Sequence, residues 1–388
     1  MPDILLPGEG GRLVPYGLRG QPVLDAPPTT PFSRVAYSAA HVVANPLAEG
    51  PPSGAASVDW DRTIAYRRYL AGLGLGIAEA MDTAQRGMGL DWPTALELIR
   101  HSISETADIP GITIASGCGT DHLDAADARG IDDVIAAYLE QLNAIQKLGG
   151  RVILMSSRAL ARVARSGADY QLVCRRVLAE AQSPVILHWL GEMFDPALEG
   201  YWGSRAFPEA LETCLEIIEE NRARIDGIKI SLLDAQKEVD MRRRLPSGVR
   251  MYTGDDFNYP ELIAGDAQGH SDALLGIFDP IAPAASRALA ALAAGDVSRF
   301  HDILEPTVPL SRRMFGAPTQ YYKTGVVFLA YLNGHQDHFI MVGGQQSMRP
   351  LAYFADLFRM ADQAGLLRDP EMAVSRMRRL LALYGIAS

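Results

Sequence analysis

Apolar, β-prone runs of four to eight residues alternate with amphipathic stretches at helical spacing along most of the chain. A first strand is expected within Phe32 to Val43, and Asp59 is placed to cap a helix that runs to about Leu70. The polar loop through Pro51-Pro52-Ser53-Gly54 joins the two. Further strands are expected at Leu75 to Met81, Ile112 to Ala115, Arg151 to Met155, Pro184 to His188, Asp226 to Leu233, Arg250 to Thr253 and Ala273 to Phe278. Helices are expected from Trp92-Pro93, over Ile131 to Lys147, on to about Ala181, over Phe207 to Arg224 and Ala235 to Arg244, and from about Tyr259 and Pro283.

Eight continuous apolar strands, each followed by a helix, predict a parallel (β/α)8 TIM barrel, an α/β fold. An open doubly wound sheet is the competitor. No G-x-G-x-x-G follows any strand, since Gly72, Gly74 and Gly76 precede one, and this favours the barrel. Residues 1–31, rich in Gly and Pro, read as an extended N-terminal arm, and residues 32–317 as the barrel. Residues 318–388 read as a helical C-terminal appendage, with stretches at Tyr321 to Leu332, Pro350 to Ala364 and Glu371 to Tyr384.

Composition narrows the class. A 388-residue chain that is 48% hydrophobic and 21% charged is expected to be globular. Its net charge of −10 argues against nucleic acid as a partner. Cys118, Cys174 and Cys214 lack disulfide or zinc spacing. Met1 to Leu6 lacks the basic start and long apolar stretch of a signal peptide, and no run is long enough to span a bilayer, so a cytoplasmic protein without a membrane partner is expected.

In a barrel of this kind the reactive groups sit at the C-terminal ends of strands. The candidates are Asp82 and Thr83, Cys118 to His122, Ser156 and Ser157, His188, Lys229, Asp255 and Asp256, and Asp279. Lys229, between Ile228 and Ile230, stands out. A buried ammonium must be paired, deprotonated or put to chemical use. The stretch alone reads as a lysine paired with Asp255 or Asp256. Set beside His188 on the neighbouring strand, it also reads as an amine nucleophile next to a proton carrier titrating near neutrality. A metal-dependent sugar isomerase using His188, Glu192, Asp121 and Asp255 is the alternative, and a non-catalytic ligand-binding barrel a third reading. Gly254-Asp255-Asp256 also reads as a turn with a helix N-cap, His335 and His338 as part of a polar loop, and Arg242-Arg243-Arg244 as a helix end.

Three segments resemble those of the class I aldolases of the dihydrodipicolinate synthase and N-acetylneuraminate lyase family. Pro184-Val185-Ile186-Leu187-His188-Trp189 is similar to that family's P-x-x-L-Y-N strand, Gly227-Ile228-Lys229 to its G-x-K strand, and Thr253-Gly254-Asp255-Asp256 to its S-G-D-D segment. The resemblance spans residues 32 to 385 and implies a Schiff-base lyase or aldolase, dimeric or tetrameric, that makes or breaks carbon–carbon bonds without a cofactor. Lys229 would form the imine with a small carbonyl substrate, and His188 would move protons. The chain departs from the family in two places. His188 stands where the family has tyrosine, and Met81-Asp82-Thr83-Ala84-Gln85-Arg86-Gly87 replaces a G-T-T-G-E loop that holds a keto-acid carboxylate. A keto acid then requires Arg86 to compensate for Asp82. A polyhydroxylated keto compound would instead use Asp82, Asp121 and His122, with Thr83, Ser156, Asp255 and Asp256 orienting substrate or tuning the lysine.

Overall fold

The structure, a computed structural model, describes residues 3–387 except 24, 50–53 and 55. Met1-Pro2 of the expected leaderless start and Pro51-Pro52-Ser53 of the expected loop lie outside the described residues. The N-terminal arm is a hairpin: β1 (Asp3–Pro7) pairs antiparallel with β2 (Leu13–Gly17). Alternation along β1 buries Ile4 and Leu6.

Eight further strands close a parallel barrel: β3 (Ala36–Ala39), β4 (Gly76–Glu79), β5 (Ile114–Cys118), β6 (Arg151–Leu154), β7 (Val185–Leu190), β8 (Ile225–Ser231), β9 (Arg250–Thr253) and β10 (Asp272–Leu275), with β10 pairing back onto β3. All eight expected strands are present. The third begins two residues later than expected and extends to Cys118, which brings the start of its polar loop into the sheet. Side chains alternate between the barrel axis and the surrounding helices. Tyr37, Ala78, Met81, Ala115, Ile153, Ile186, Tyr252 and Leu274 fill the interior, whereas Ile228 and Ile230 face outward into a separate apolar cluster.

The outer ring is formed by α1 (Trp60–Gly72), α2 (Trp92–Glu105), α3 (Ile131–Lys147), α4 (Arg158–Val163), α5 (Gly167–Ala179), α6 (Phe207–Glu220), α7 (Ala235–Arg242), α8 (Tyr259–Ala264) and α9 (Ala282–Ala293). The single helical stretch expected up to Ala181 is divided, because Ser166 and Asp169 form a capping box that starts α5 afresh. Two short helices, α10 (Val297–Leu304) and α11 (Val308–Met314), were not expected; Asp296 caps α10 by accepting from Arg299 N. The C-terminal helices α12 (Tyr322–Leu332), α13 (Leu351–Gln363) and α14 (Pro370–Leu383) fall within one residue of expectation. Every residue of α12 is buried. One apolar cluster runs from Ile77 and Leu275 in the barrel through Phe328 and Leu357 to Met377, so the tail shares the barrel's core.

Candidate active site

The alternation that turns Ile228 and Ile230 outward turns Lys229 and Ser231 toward the barrel axis. Parallel register sets Lys229 beside His188 on β7 and beside Tyr252 on β9. Gly254, just beyond β9, gives the lysine its room: a Cβ there would lie 2.7 Å from Lys229 Cε and 2.2 Å from Ser231 Oγ. Lys229 is 7% exposed. Burial lowers its pKa, and Asp256 and then Asp82 act against this through their charges, without a hydrogen bond to it. Asp256 is the reciprocal partner. Burial raises its carboxyl to about 7, although Ile277 N donates to Oδ1 at 2.8 Å and the Lys229 charge pulls the other way. A depressed lysine beside an elevated aspartate is an amine and an acid brought toward the same pH range.

His188 is buried, and its Nε2 shares a hydrogen bond of 3.2 Å with Ser231 Oγ while Nδ1 has no partner among the described residues. Burial, reinforced by Lys229, holds its pKa well below the ordinary value. Desolvation thus favours the neutral imidazole, against the expectation of a proton carrier titrating near neutrality. Asp255 is also re-read. It accepts from Phe257 N and Asn258 N at 2.8 and 3.1 Å and from Asn258 Nδ2 at 2.8 Å, a turn that leads into α8, whose N-cap is Asn258. Asp256, its neighbour, faces the lysine instead.

The turn after β4 is held under strain. Ala80 and Gln85 have positive φ, 51° and 67°, and bracket Asp82 and Thr83. Beneath it Arg67 and Glu79 form a fully buried, two-pronged ion pair (2.9 and 2.8 Å), and Glu79 Oε1 accepts from Ala80 N at 2.8 Å. From above, α12 grips the same turn. Tyr322 Oη and Thr83 Oγ1 share a hydrogen bond of 2.8 Å, and Lys323 Nζ lies 3.3 Å from Asp82 Oδ1. Sequence reasoning missed Tyr322 and Lys323, which lie about 240 positions from their partners; a buried lysine in an apolar helix was the available signal.

A cleft of about 460 Å³ opens at this end of the barrel, lined among others by Asp82, Arg86, Asp121, His122, Ser156 and His188. Ser156 Oγ donates to His188 O at 2.9 Å, which ties β6 to β7. Arg86 is spent on the wall. Nε and Nη2 bind the two oxygens of Asp121, Nη2 also donates to Gln141 Oε1, and Nη1 donates to Ala80 O and Gly117 O. All five donors of a guanidinium are thus occupied, so the compensation for Asp82 that a keto acid would require of Arg86 has no free donor behind it. His122 Nδ1 meets Gln141 Nε2 at 2.9 Å, and Nε2 lies 3.3 Å from Glu140. The alternative set of His188, Glu192, Asp121 and Asp255 does not converge, and among the described residues no three His, Cys, Asp or Glu side chains form a metal-binding group. His335 is packed against Tyr66 and Tyr69.

Fold and site together define a (β/α)8 barrel with a buried lysine on its sixth strand, turned toward the barrel axis beside His188. Solved structures share this fold. A putative dihydrodipicolinate synthetase from Pseudomonas aeruginosa superposes with a TM-score of 0.63 at 15% identity, over 88% of this chain and 99% of that one. YagE, a prophage protein of the dihydrodipicolinic acid synthase family from E. coli K12 in complex with pyruvate, gives 0.63 at 13% identity over 92% and 99%. Dihydrodipicolinate synthase from Aquifex aeolicus gives 0.60 at 12% over 91% and 98%. The family resemblance read from the sequence therefore holds for the fold. No curated protein matches the sequence. The chain belongs to the family described as "Protein of unknown function (DUF993)", whose model matches residues 4–386. Among the described residues no helix is long and apolar enough to cross a membrane.

Proposed function

We propose that the protein is a Schiff-base lyase of the aldolase type and that Lys229 is its nucleophile. One observation carries the reading: a buried amine with a lowered pKa, without a hydrogen bond among the described residues, on the inward face of β8 between His188 and Gly254. A neutral amine is what attack on a carbonyl requires. The fold neighbour YagE, whose structure holds pyruvate, supports a carbonyl compound as ligand.

The Nζ lone pair attacks the carbonyl carbon, the π electrons move to oxygen, and the carbinolamine loses water to leave an iminium. A bond between the α and β carbons of a β-hydroxy substrate then breaks. Its electrons flow into the iminium to give an enamine, while the β-hydroxyl gives up its proton to a base and leaves as an aldehyde. Protonation of the enamine at carbon and hydrolysis regenerate the amine. Asp256, raised to about 7, is suited to exchanging protons at the lysine end. His188, neutral and tied through Ser231, is suited to positioning the carbinolamine oxygen rather than carrying a charge.

Borohydride reduction in the presence of a panel of carbonyl compounds, followed by peptide mass mapping, tests the reading. A reduced adduct on Lys229, absent in Lys229→Met, is the expected result. Ligand binding with no adduct from any compound identifies a binding barrel and sinks the lyase proposal.

A further inference from the structure

We infer that the substrate is a neutral, polyhydroxylated ketone or aldehyde, and that a compound bearing a carboxylate or phosphate next to the reacting carbonyl is excluded. The inference rests on Lys229 as the imine-forming residue, reached through the cleft that its strand neighbour His188 lines, and goes beyond it by naming what that cleft admits. It follows from accounting for the cleft's charges and donors.

A small keto acid needs a cation or a set of free N–H donors for its carboxylate within a few ångströms of the lysine. The cleft's inner wall carries one guanidinium, Arg86, and the backbone and side-chain acceptors of its own wall take every donor it has. Arg158, half exposed, also lines the cleft; its charge is matched by Asp195, which Nε meets at 2.5 Å, while Nη1 and Nη2 have no partner among the described residues. Lys323 is behind the wall, 1% exposed and turned onto Asp82 and the Met88 sulfur. Carboxylates, by contrast, line the same space: Asp82, Asp121, Asp124 and Asp195. An anion entering here gains no unpaired cation on the inner wall and faces like charges in a partly desolvated cleft.

A hydroxyl-rich neutral ligand meets the opposite situation. Lys323 contacts only Oδ1 of Asp82, so Oδ2 remains an acceptor, and Asp121 keeps an exposed edge. The Thr120 and Ser157 hydroxyls, which share a 2.6 Å bond, line the same cleft, whereas the Ser156 hydroxyl proton is taken by His188 O. An acceptor-rich wall selects ligands that bring donors, and sugar hydroxyls do.

The test is a comparison of trapping rates on the wild-type protein with dihydroxyacetone, fructose, pyruvate and dihydroxyacetone phosphate, each reduced with borohydride and read as an adduct on the Lys229 peptide. At least one of the two neutral compounds is expected to label Lys229 ten times faster, or more, than both anionic ones. Labelling by pyruvate or by the phosphate at a rate within tenfold of the better neutral compound overturns the substrate class and leaves the lysine's role intact. Labelling of Lys229 by none of the four overturns the role of the lysine, and this inference with it.

Discussion

At the scale of single residues, the lysine is accommodated by what is missing beside it. Gly254 leaves space where any Cβ would strike Lys229 Cε at 2.7 Å and Ser231 Oγ at 2.2 Å. Gly254→Ala must therefore displace the lysine, its Ser231 neighbour or β9 itself. The expected outcome is a protein with its helical content retained and a Lys229 trapping rate reduced at least tenfold; trapping at the wild-type rate would show that the close approach is irrelevant to the chemistry. A second residue, Glu238 on α7, contributes to the pH dependence of stability. It is buried, accepts from Ser271 Oγ at 2.6 Å and Thr253 Oγ1 at 2.9 Å, and burial raises its pKa to about 8. Below pH 4.5, its ordinary value, folded and unfolded chains both hold the proton and the group is neutral in the balance. From there up to about pH 8 the unfolded chain releases it while the folded chain keeps it, so stability falls by about 1.4 kcal/mol per pH unit before levelling off. Glu238→Gln lacks that proton. Urea unfolding at pH 5 and pH 8.5 is expected to show the variant gaining on the wild type by a few kcal/mol at the higher pH; an equal difference at both pH values would contradict it.

At the scale of elements, the turn after β4 is where the strands and the C-terminal helices meet. Its two left-handed residues, Ala80 and Gln85, cost about 1–3 kcal/mol each, and the surroundings must hold them in place. From below, the Arg67–Glu79 pair does so through the Ala80 amide. Glu79→Gln leaves the Arg67 guanidinium buried without a counter-charge, and an order-of-magnitude loss of 3–5 kcal/mol in urea unfolding is expected. From above, Tyr322→Phe leaves the Thr83 hydroxyl unpaired, at about 1 kcal/mol. It is expected to slow Lys229 trapping more than that small stability change explains, since Asp82 shares the turn. How far this was legible in the sequence follows from locality. The apolar run around Gly227-Ile228-Lys229 singled out the lysine, and strand ends pointed to Asp82 and Ser156, because these depend on residues a few positions apart. The grip of Tyr322 and Lys323 on Thr83 and Asp82 depends on tertiary contact between distant segments, for which sequence offers no period. The fate of Arg86 was hidden for the same reason: its acceptors come from β4, β5 and α3, and only the folded barrel gathers Ala80 O, Gly117 O and Gln141 around one guanidinium.

At the scale of the molecule, both ends of the chain are bound into one core. The N-terminal hairpin inserts Ile4 and Leu6 against the C-terminal helices, and its second strand and the segment after it are fastened by Asp362 of α13, which accepts from Tyr16 Oη at 2.7 Å, Arg19 N at 2.8 Å and Gly20 N at 3.0 Å. The approach at Gly20 is so close that a Cβ would sit 1.8 Å from Asp362 O. A composition rich in Gly and Pro suggested an extended arm because the hairpin's apolar alternation is only two side chains long. The tail's three helices were readable from their own amphipathic spacing, yet their sharing of the barrel's apolar cluster was not, since it again joins distant segments. That sharing has a mechanical consequence. Trp60, Trp92, Trp189 and Trp202 all lie in the barrel half, so their fluorescence reports the barrel, whereas far-ultraviolet circular dichroism weighs every helix, α12 to α14 included. If one core joins the two, both signals and Lys229 trapping are lost at a single urea midpoint. Removal of residues 1–20 takes Ile4, Leu6 and Leu18 out of that core, each worth about 1.5–3 kcal/mol when buried. The midpoint is expected to fall while the two signals stay coincident. Separation of the circular dichroism transition from the fluorescence transition, in the full chain or the shortened one, would show instead that the tail folds as a unit of its own and that its hold on the Asp82 turn is an interface between two bodies.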